Sequence, residues 1–168
     1  MKKPNEIKTV KAKLTKLLPP LFAAITLFGV VYCRKKTTVD IINKTDKIDS
    51  VIKCHETIHV RQAESTSNSW TKFYLMYIWQ WICNLPIIIY GLMMPYYFIE
   101  FEFEAYCNED KFDYPNRGAA CQWKDFKKLT LKEKLRLAKE YKRCKKLLAF
   151  RKFVQNDVLP IVNKKRLA

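Results

Sequence analysis

Only two histidines occur in this chain of 168 residues, and they stand four apart in His55-Glu56-Thr57-Ile58-His59. On a helix, residues i and i+4 project from nearly the same face. Two imidazoles can therefore converge on one Zn²⁺, while Glu56, beside the first, reaches a metal-bound water as a general base. Scattering two histidines and nine glutamates at random over the chain yields this pattern in roughly 6 of 10,000 shuffles, so the spacing rather than the composition carries the signal. The plain alternative is a pair of surface histidines on an ordinary helix.

A catalytic zinc site needs a third protein ligand and keeps a fourth position for water. With no third histidine, that ligand has to be acidic. Ile99-Glu100-Phe101-Glu102-Phe103-Glu104-Ala105-Tyr106 supplies three carboxylates directly after a long apolar stretch. Carboxylates in such a setting cost much in desolvation unless water, a cation or a metal meets them. The competing reading is a polar helix start just past an apolar segment.

H-E-x-x-H followed tens of residues later by E-x-x-A resembles the gluzincins, and within them the branch of membrane-embedded CAAX prenyl proteases. That pattern sets the ligand glutamate three residues before the alanine, which here is Glu102 before Ala105. The resemblance implies His55, His59 and Glu102 as zinc ligands and Glu56 as the general base. Branch members usually carry an aspartate after the alanine, where this chain has Tyr106. Phe101-Glu102-Phe103-Glu104-Ala105-Tyr106 and the His59-x-x-Gln62 spacing also resemble small uncharacterised zincin-like proteins of bacteria and their phages. The likeness covers residues 22 to 110 and is specific at the two motifs.

Helix geometry bears on the choice among the carboxylates. Glu100 and Glu104 share one face, whereas Glu102 lies about 200° round from Glu100. Ile99, Ala105 and Tyr106 accompany Glu102, a drier setting suited to a metal carboxylate. Glu102 is the preferred ligand, with Glu104 and Glu100 as fallbacks. Glu109, two turns on, is placed to support a ligand histidine, as are Gln62 and Tyr106. Cys54 projects about 100° from His55 and is a poor ligand; Cys107 is a somewhat better outsider. Tyr106, Tyr97 and Arg61 are the candidate oxyanion donors.

The elements that must position these groups are partly readable. Asp49 or Ser50 can cap a helix from Val51 to Gln62, which has no Gly or Pro, and Ser65 to Ser69 reads as its end and a loop. Ala24 to Cys33, rich in β-branched and aromatic residues, predicts a strand or hairpin. A strand edge there would hold an extended peptide by main-chain hydrogen bonds. The alternative for that region is a short signal anchor. As a helix, however, the seventeen uncharged residues from Leu17 to Cys33 reach only about 25 Å, and Pro19-Pro20 shortens them.

Phe73 through Ile99 carries no charge for 27 residues, long enough for a bilayer span, with Tyr and Trp crowding both ends. Asn84-Leu85-Pro86, Gly91 and Pro95 break it into shorter pieces. A single crossing would put the histidine pair and Glu102 on opposite sides of a membrane. The metal site therefore requires a re-entrant or hairpin path, a second crossing, or two helices buried in a soluble core.

Three glycines argue against phosphate-cradling loops and turn-rich all-β designs. The six cysteines (33, 54, 83, 107, 121 and 144) include no C-x-x-C pair and lack a disulfide-rich secreted layout, so they are read as mostly reduced. The net charge of +16 concentrates in residues 124–152, where thirteen Lys or Arg face Asp125, Glu133 and Glu140. Thr130-Leu131-Lys132-Glu133 matches a capping box. Leu131, Leu135, Ala138, Tyr141, Cys144 and Leu148 then recur at helical spacing. This basic amphipathic helix packs on the domain with a solvated face, or meets anionic lipid. Nucleic acid ranks last, because no recognised nucleic-acid fold signature is present.

The expected architecture is mainly α (α+β). A zincin-like helix pair carries H-E-x-x-H and a glutamate ligand, with a short N-terminal strand or hairpin and a basic C-terminal helix. The expected boundaries are a basic tail over 1–20, a metal-binding domain over 21–122 containing an apolar helical hairpin at 73–99, the basic helix over 123–155 and a tail over 156–168. The expected function is a zinc metallopeptidase acting on a peptide or protein substrate, membrane-associated or cytoplasmic in a bacterial host cell. The alternative is a non-enzymatic membrane-associated or phage structural protein that keeps the metal-stapled scaffold.

Overall fold

The computed structural model describes residues 1–20, 22–118, 122–144 and 150–167. The protein is mainly helical, with a small three-stranded sheet near the N-terminus. Two compact units are distinguished: Met1–Tyr74 with Asn108–Cys121, and Leu75–Cys107 with Gln122–Ala168.

The first unit begins with the sheet, formed by β1 (Lys11–Leu14), β2 (Ala24–Leu27) and β3 (Val30–Cys33) in the order β1-β3-β2. β2 and β3 form the expected hairpin, antiparallel with Leu27 opposite Val30. Its two-residue turn, Phe28-Gly29, has φ of 53° and 79°, the double positive φ that matches the twist of paired strands. Gly29 accommodates this without cost; Phe28 does not, and it is held from outside. Its amide donates to Tyr74 Oη at 2.7 Å, and its ring meets Tyr74 and Trp70 edge-on. The uncharged run from Leu17 to Cys33 thus holds a hairpin rather than a helical anchor. β1 lies in the expected basic N-terminal tail and pairs in parallel with β3.

After α1 (Lys36–Asn43) comes the motif helix α2, Val51–Ser65. Ser50 takes the N-cap position with extended backbone, but its hydroxyl makes no hydrogen bond among the described residues. Asp49, the other capping candidate, instead accepts from Thr45 Oγ1. The helix packs against β2, α1 and the short turns Pro4–Glu6 and Tyr114–Arg117. It is buried on nearly every side from Lys53 to Val60. A helix so enclosed has to find a partner for each polar group it carries. Lys53 Nζ donates to the Thr45 carbonyl, and Thr57 Oγ1 to the Lys53 carbonyl.

α3 (Trp70–Cys83) starts the apolar stretch. A 3-10 turn over Leu85–Tyr90 and the short α4 (Met94–Tyr97) follow, so Asn84-Leu85-Pro86 and Gly91 do interrupt it. Among the described residues no helix is long and apolar enough to cross a membrane. α5 (Glu100–Asn108) carries the three glutamates. The second unit continues with α6 (Trp123–Phe126), α7 (Leu131–Cys144), α8 (Phe150–Phe153), a π turn at Val154–Val158 and α9 (Leu159–Leu167). Phe98, Phe103, Phe126, Leu137, Phe150 and Phe153 centre its core.

At the start of α7 the Thr130 amide donates to Glu133 Oε2 at 2.8 Å and the Glu133 amide to Thr130 Oγ1 at 3.3 Å, completing the capping box. Lys165 also meets Glu133, and with the Thr130 amide it holds that carboxyl down to about 2. The buried stripe differs from the expected one. Lys134, Leu137, Ala138 and Tyr141 face inward, while Leu131 is exposed and Leu135 half-buried. The reason is electrostatic: Lys134 Nζ donates to Glu100 Oε1 at 2.7 Å and to Asn84 Oδ1 at 3.0 Å, and all three residues are buried. Leu148 and Cys121 lie outside the described residues.

Candidate metal centre

α2 brings His55 and His59 onto one face, with ring centroids 4.9 Å apart and planes nearly perpendicular. Both are buried, and each has its Nδ1 taken. His55 Nδ1 lies 2.9 Å from Glu109 Oε2, and His59 Nδ1 lies 2.8 Å from Gln62 Oε1. A neutral imidazole that gives its Nδ1 proton to such an oxygen carries on Nε2 the lone pair that a metal takes. Gln62 reaches His59 because it stands three residues on along the same helix. Glu109 follows directly on α5 and comes to His55 across 54 positions of sequence.

Glu56 points to the sheet. Thr26 Oγ1 on β2 donates to Glu56 Oε2 at 2.5 Å, and both side chains are buried. Glu56 Oε1 makes no hydrogen bond among the described residues. Thr26 is the sole hydroxyl in the otherwise apolar strand β2, and that oddity is the one local signal for it.

In the second unit the three α5 glutamates have different partners. Glu100 is committed to Lys134, and Glu104 accepts the Gln122 amide at 2.8 Å. Glu102, fully buried, accepts from Tyr77 Oη at 2.6 Å. Burial and the adjacent Glu102 charge push the Tyr77 phenol well above its ordinary range, so it stays a proton donor to that carboxylate. Tyr77 was also unforeseen: it lies 25 residues from Glu102, inside a run that reads as interface aromatics.

His55, His59 and Glu102 each offer one ligand atom, and these atoms all lie within 4.8 Å of one another. Tetrahedral zinc, with bonds near 2.0–2.2 Å, sets its ligand atoms about 3.4 Å apart, which lies inside that limit. The donor chemistry is compatible with a metal ion: two buried imidazoles whose Nδ1 atoms meet side-chain oxygens, and one buried carboxylate.

Among the remaining candidates, burial and then the nearby Glu102 charge raise the Tyr97 phenol. Tyr106 packs its ring on Phe150 and Tyr97, and Tyr97 lies within the same aromatic group. Arg61 is engaged with the Pro115 carbonyl and Glu64. Cys54 directs its thiol to the carbonyls of Asn108 and Lys111, and burial pushes that thiol up to about 12. Burial, with the Glu56 charge adding to it, raises Cys33 to about 11. Cys107 belongs to the apolar core of the second unit. None of Cys33, Cys54, Cys83, Cys107 or Cys144 is in a disulfide.

No protein-family model, no curated protein and no solved structure matches this chain.

Proposed function

We propose that the protein is a zinc-dependent peptidase, with His55, His59 and Glu102 as the metal-holding residues and Glu56 as the general base. The observation that carries this reading is the buried His-His-Glu group, in which Nδ1 of each imidazole meets a side-chain oxygen. A zinc ion held there would lower the pKa of a water and polarise a peptide carbonyl. Glu56 would take a proton from the attacking water on Oε1 and later pass it to the leaving amine, while Thr26 fixes the rotamer through Oε2. Among the described residues β2 is an edge strand of the sheet, with β3 as its neighbour. Its outer edge, adjoining Thr26, is suited to hold an extended peptide by main-chain hydrogen bonds. Tyr77 orients Glu102.

Elemental analysis of wild type and Glu102→Ala side by side tests the reading, together with hydrolysis of a denatured, fluorophore-labelled protein. The expected result is about one zinc per wild-type chain, much less in the variant, and hydrolysis that a chelator stops and added zinc restores. Wild-type protein that takes up no zinc at neutral pH overturns the proposal.

Support of the histidines gives a second expected result. Glu109→Ala should lower zinc affinity by about 10- to 100-fold, because His55 loses the acceptor that fixes its tautomer. Competition with a chromophoric chelator measures this, and an unchanged affinity would remove Glu109 from the site.

A further inference from the structure

α3 presents to solvent the kind of face a helix normally buries. Leu75, Ile78, Trp79 and Ile82 recur at i, i+3, i+4 and i+7, so they share one side of the helix. They are 64%, 53%, 66% and 44% exposed. Beyond the helix, Ile89 and Leu92 are exposed at 67% and 69%. Single exposed apolar residues are ordinary, but four on one helical face mark a surface that meets something. No charged side chain interrupts residues 73–99.

The charge of the same unit says what that partner is. Residues 75–107 and 122–168 carry sixteen Lys or Arg against seven Asp or Glu, a balance of +9. Three of the seven, Glu100, Glu102 and Glu104, are buried, so the exposed surface is more basic still. α7 packs on the Leu85–Tyr90 turn, and opposite its buried stripe it exposes Lys132, Arg136, Lys139 and Arg143 along one side. A second copy of the chain would bring positive charge against positive charge. An anionic bilayer satisfies both features: apolar side chains enter the acyl boundary, and lysines and arginines meet the headgroups. The fourteen residues of α3 extend about 21 Å, short of a hydrocarbon core of about 30 Å, so the helix would lie in the interface plane.

We propose that the exposed face of α3, with the turn that follows it, docks the protein on the surface of membranes rich in anionic lipid. This rests on the second unit alone and stands whether or not the metal centre is catalytic.

Vesicle co-sedimentation of the full chain tests it, using phosphatidylcholine vesicles with and without about 30% phosphatidylserine. Wild type should bind the anionic vesicles at least about ten-fold more tightly than the neutral ones, with binding falling at high salt. Leu75→Glu combined with Trp79→Glu should weaken binding by about ten-fold or more, with an unchanged circular dichroism spectrum. Lys139→Glu with Arg143→Glu should weaken it about ten-fold on anionic vesicles only. Should the α3 variant fail to fold, tryptophan quenching of bound wild type by acyl-brominated lipid replaces it. Quenching supports insertion, and its absence overturns it. No binding to anionic vesicles, or binding untouched by the α3 substitutions, also overturns the proposal. So does a concentration-dependent dimer that Trp79→Glu dissociates in protein that ignores vesicles.

Discussion

Glu56→Gln is expected to keep its zinc and to lose peptide hydrolysis by a factor of about 10² to 10⁴. The amide has the shape of the carboxylate, and its oxygen can still accept from Thr26 Oγ1, so the packing of α2 on β2 should survive. What the amide lacks is a basic oxygen: it neither takes a proton from water nor returns one to the leaving amine. None of the three proposed ligand atoms is altered, so zinc stoichiometry should match wild type. Side-by-side elemental analysis and initial rates on the labelled denatured substrate measure both. A variant rate within about three-fold of wild type would remove Glu56 from the mechanism. Zinc retained in both proteins with no hydrolysis by either would favour a metal-stapled scaffold instead.

Lys134→Ala is expected to destabilise the protein by about 3–5 kcal/mol, through electrostatics rather than lost packing. The Lys134 ammonium bonds Glu100 Oε1 and Asn84 Oδ1, and Asn84 in turn donates to the Phe98 carbonyl at 2.7 Å. Removing the cation strands the Glu100 carboxylate in a dry setting. Its second oxygen, Oε2, already has no hydrogen-bond partner among the described residues. The double change Lys134→Met with Glu100→Gln removes both charges at similar volume and should recover most of the loss. Denaturant unfolding of wild type, Lys134→Met, Glu100→Gln and the double variant gives the coupling directly. A loss below about 1 kcal/mol for Lys134→Ala would mean that the pair behaves like an exposed one.

The elements legible in residue order are those whose signals are local. The helix around the histidine motif, the hairpin at 24–33 and the capped helix at 130 each follow from a periodicity or a cap within a few residues. The breaks at Asn84-Leu85-Pro86 and Gly91 were readable for the same reason. β1 was not: Lys11–Leu14 is a four-residue strand with two lysines, and it is defined by a parallel partner sixteen or more residues away. The inward face of α7 is not legible in the apolar periodicity, because Lys134 is buried by the carboxylate of Glu100 that meets it.

The sequence by itself determined that two imidazoles share a helical face with a glutamate beside the first, and that three carboxylates lie on one later helix. Covalent spacing and the pitch of the α-helix are enough for that. Only the tertiary structure decided what each carboxylate meets. Lys134 takes Glu100, the Gln122 amide takes Glu104, and Glu102, held by Tyr77, is the one that lies within 4.8 Å of the histidine ligand atoms. It likewise decided that Thr26 holds Glu56 and that Glu109 holds His55. The physical reason is burial: a polar group withdrawn from water has to find its partner wherever the chain has brought one, and no local pattern records that distance.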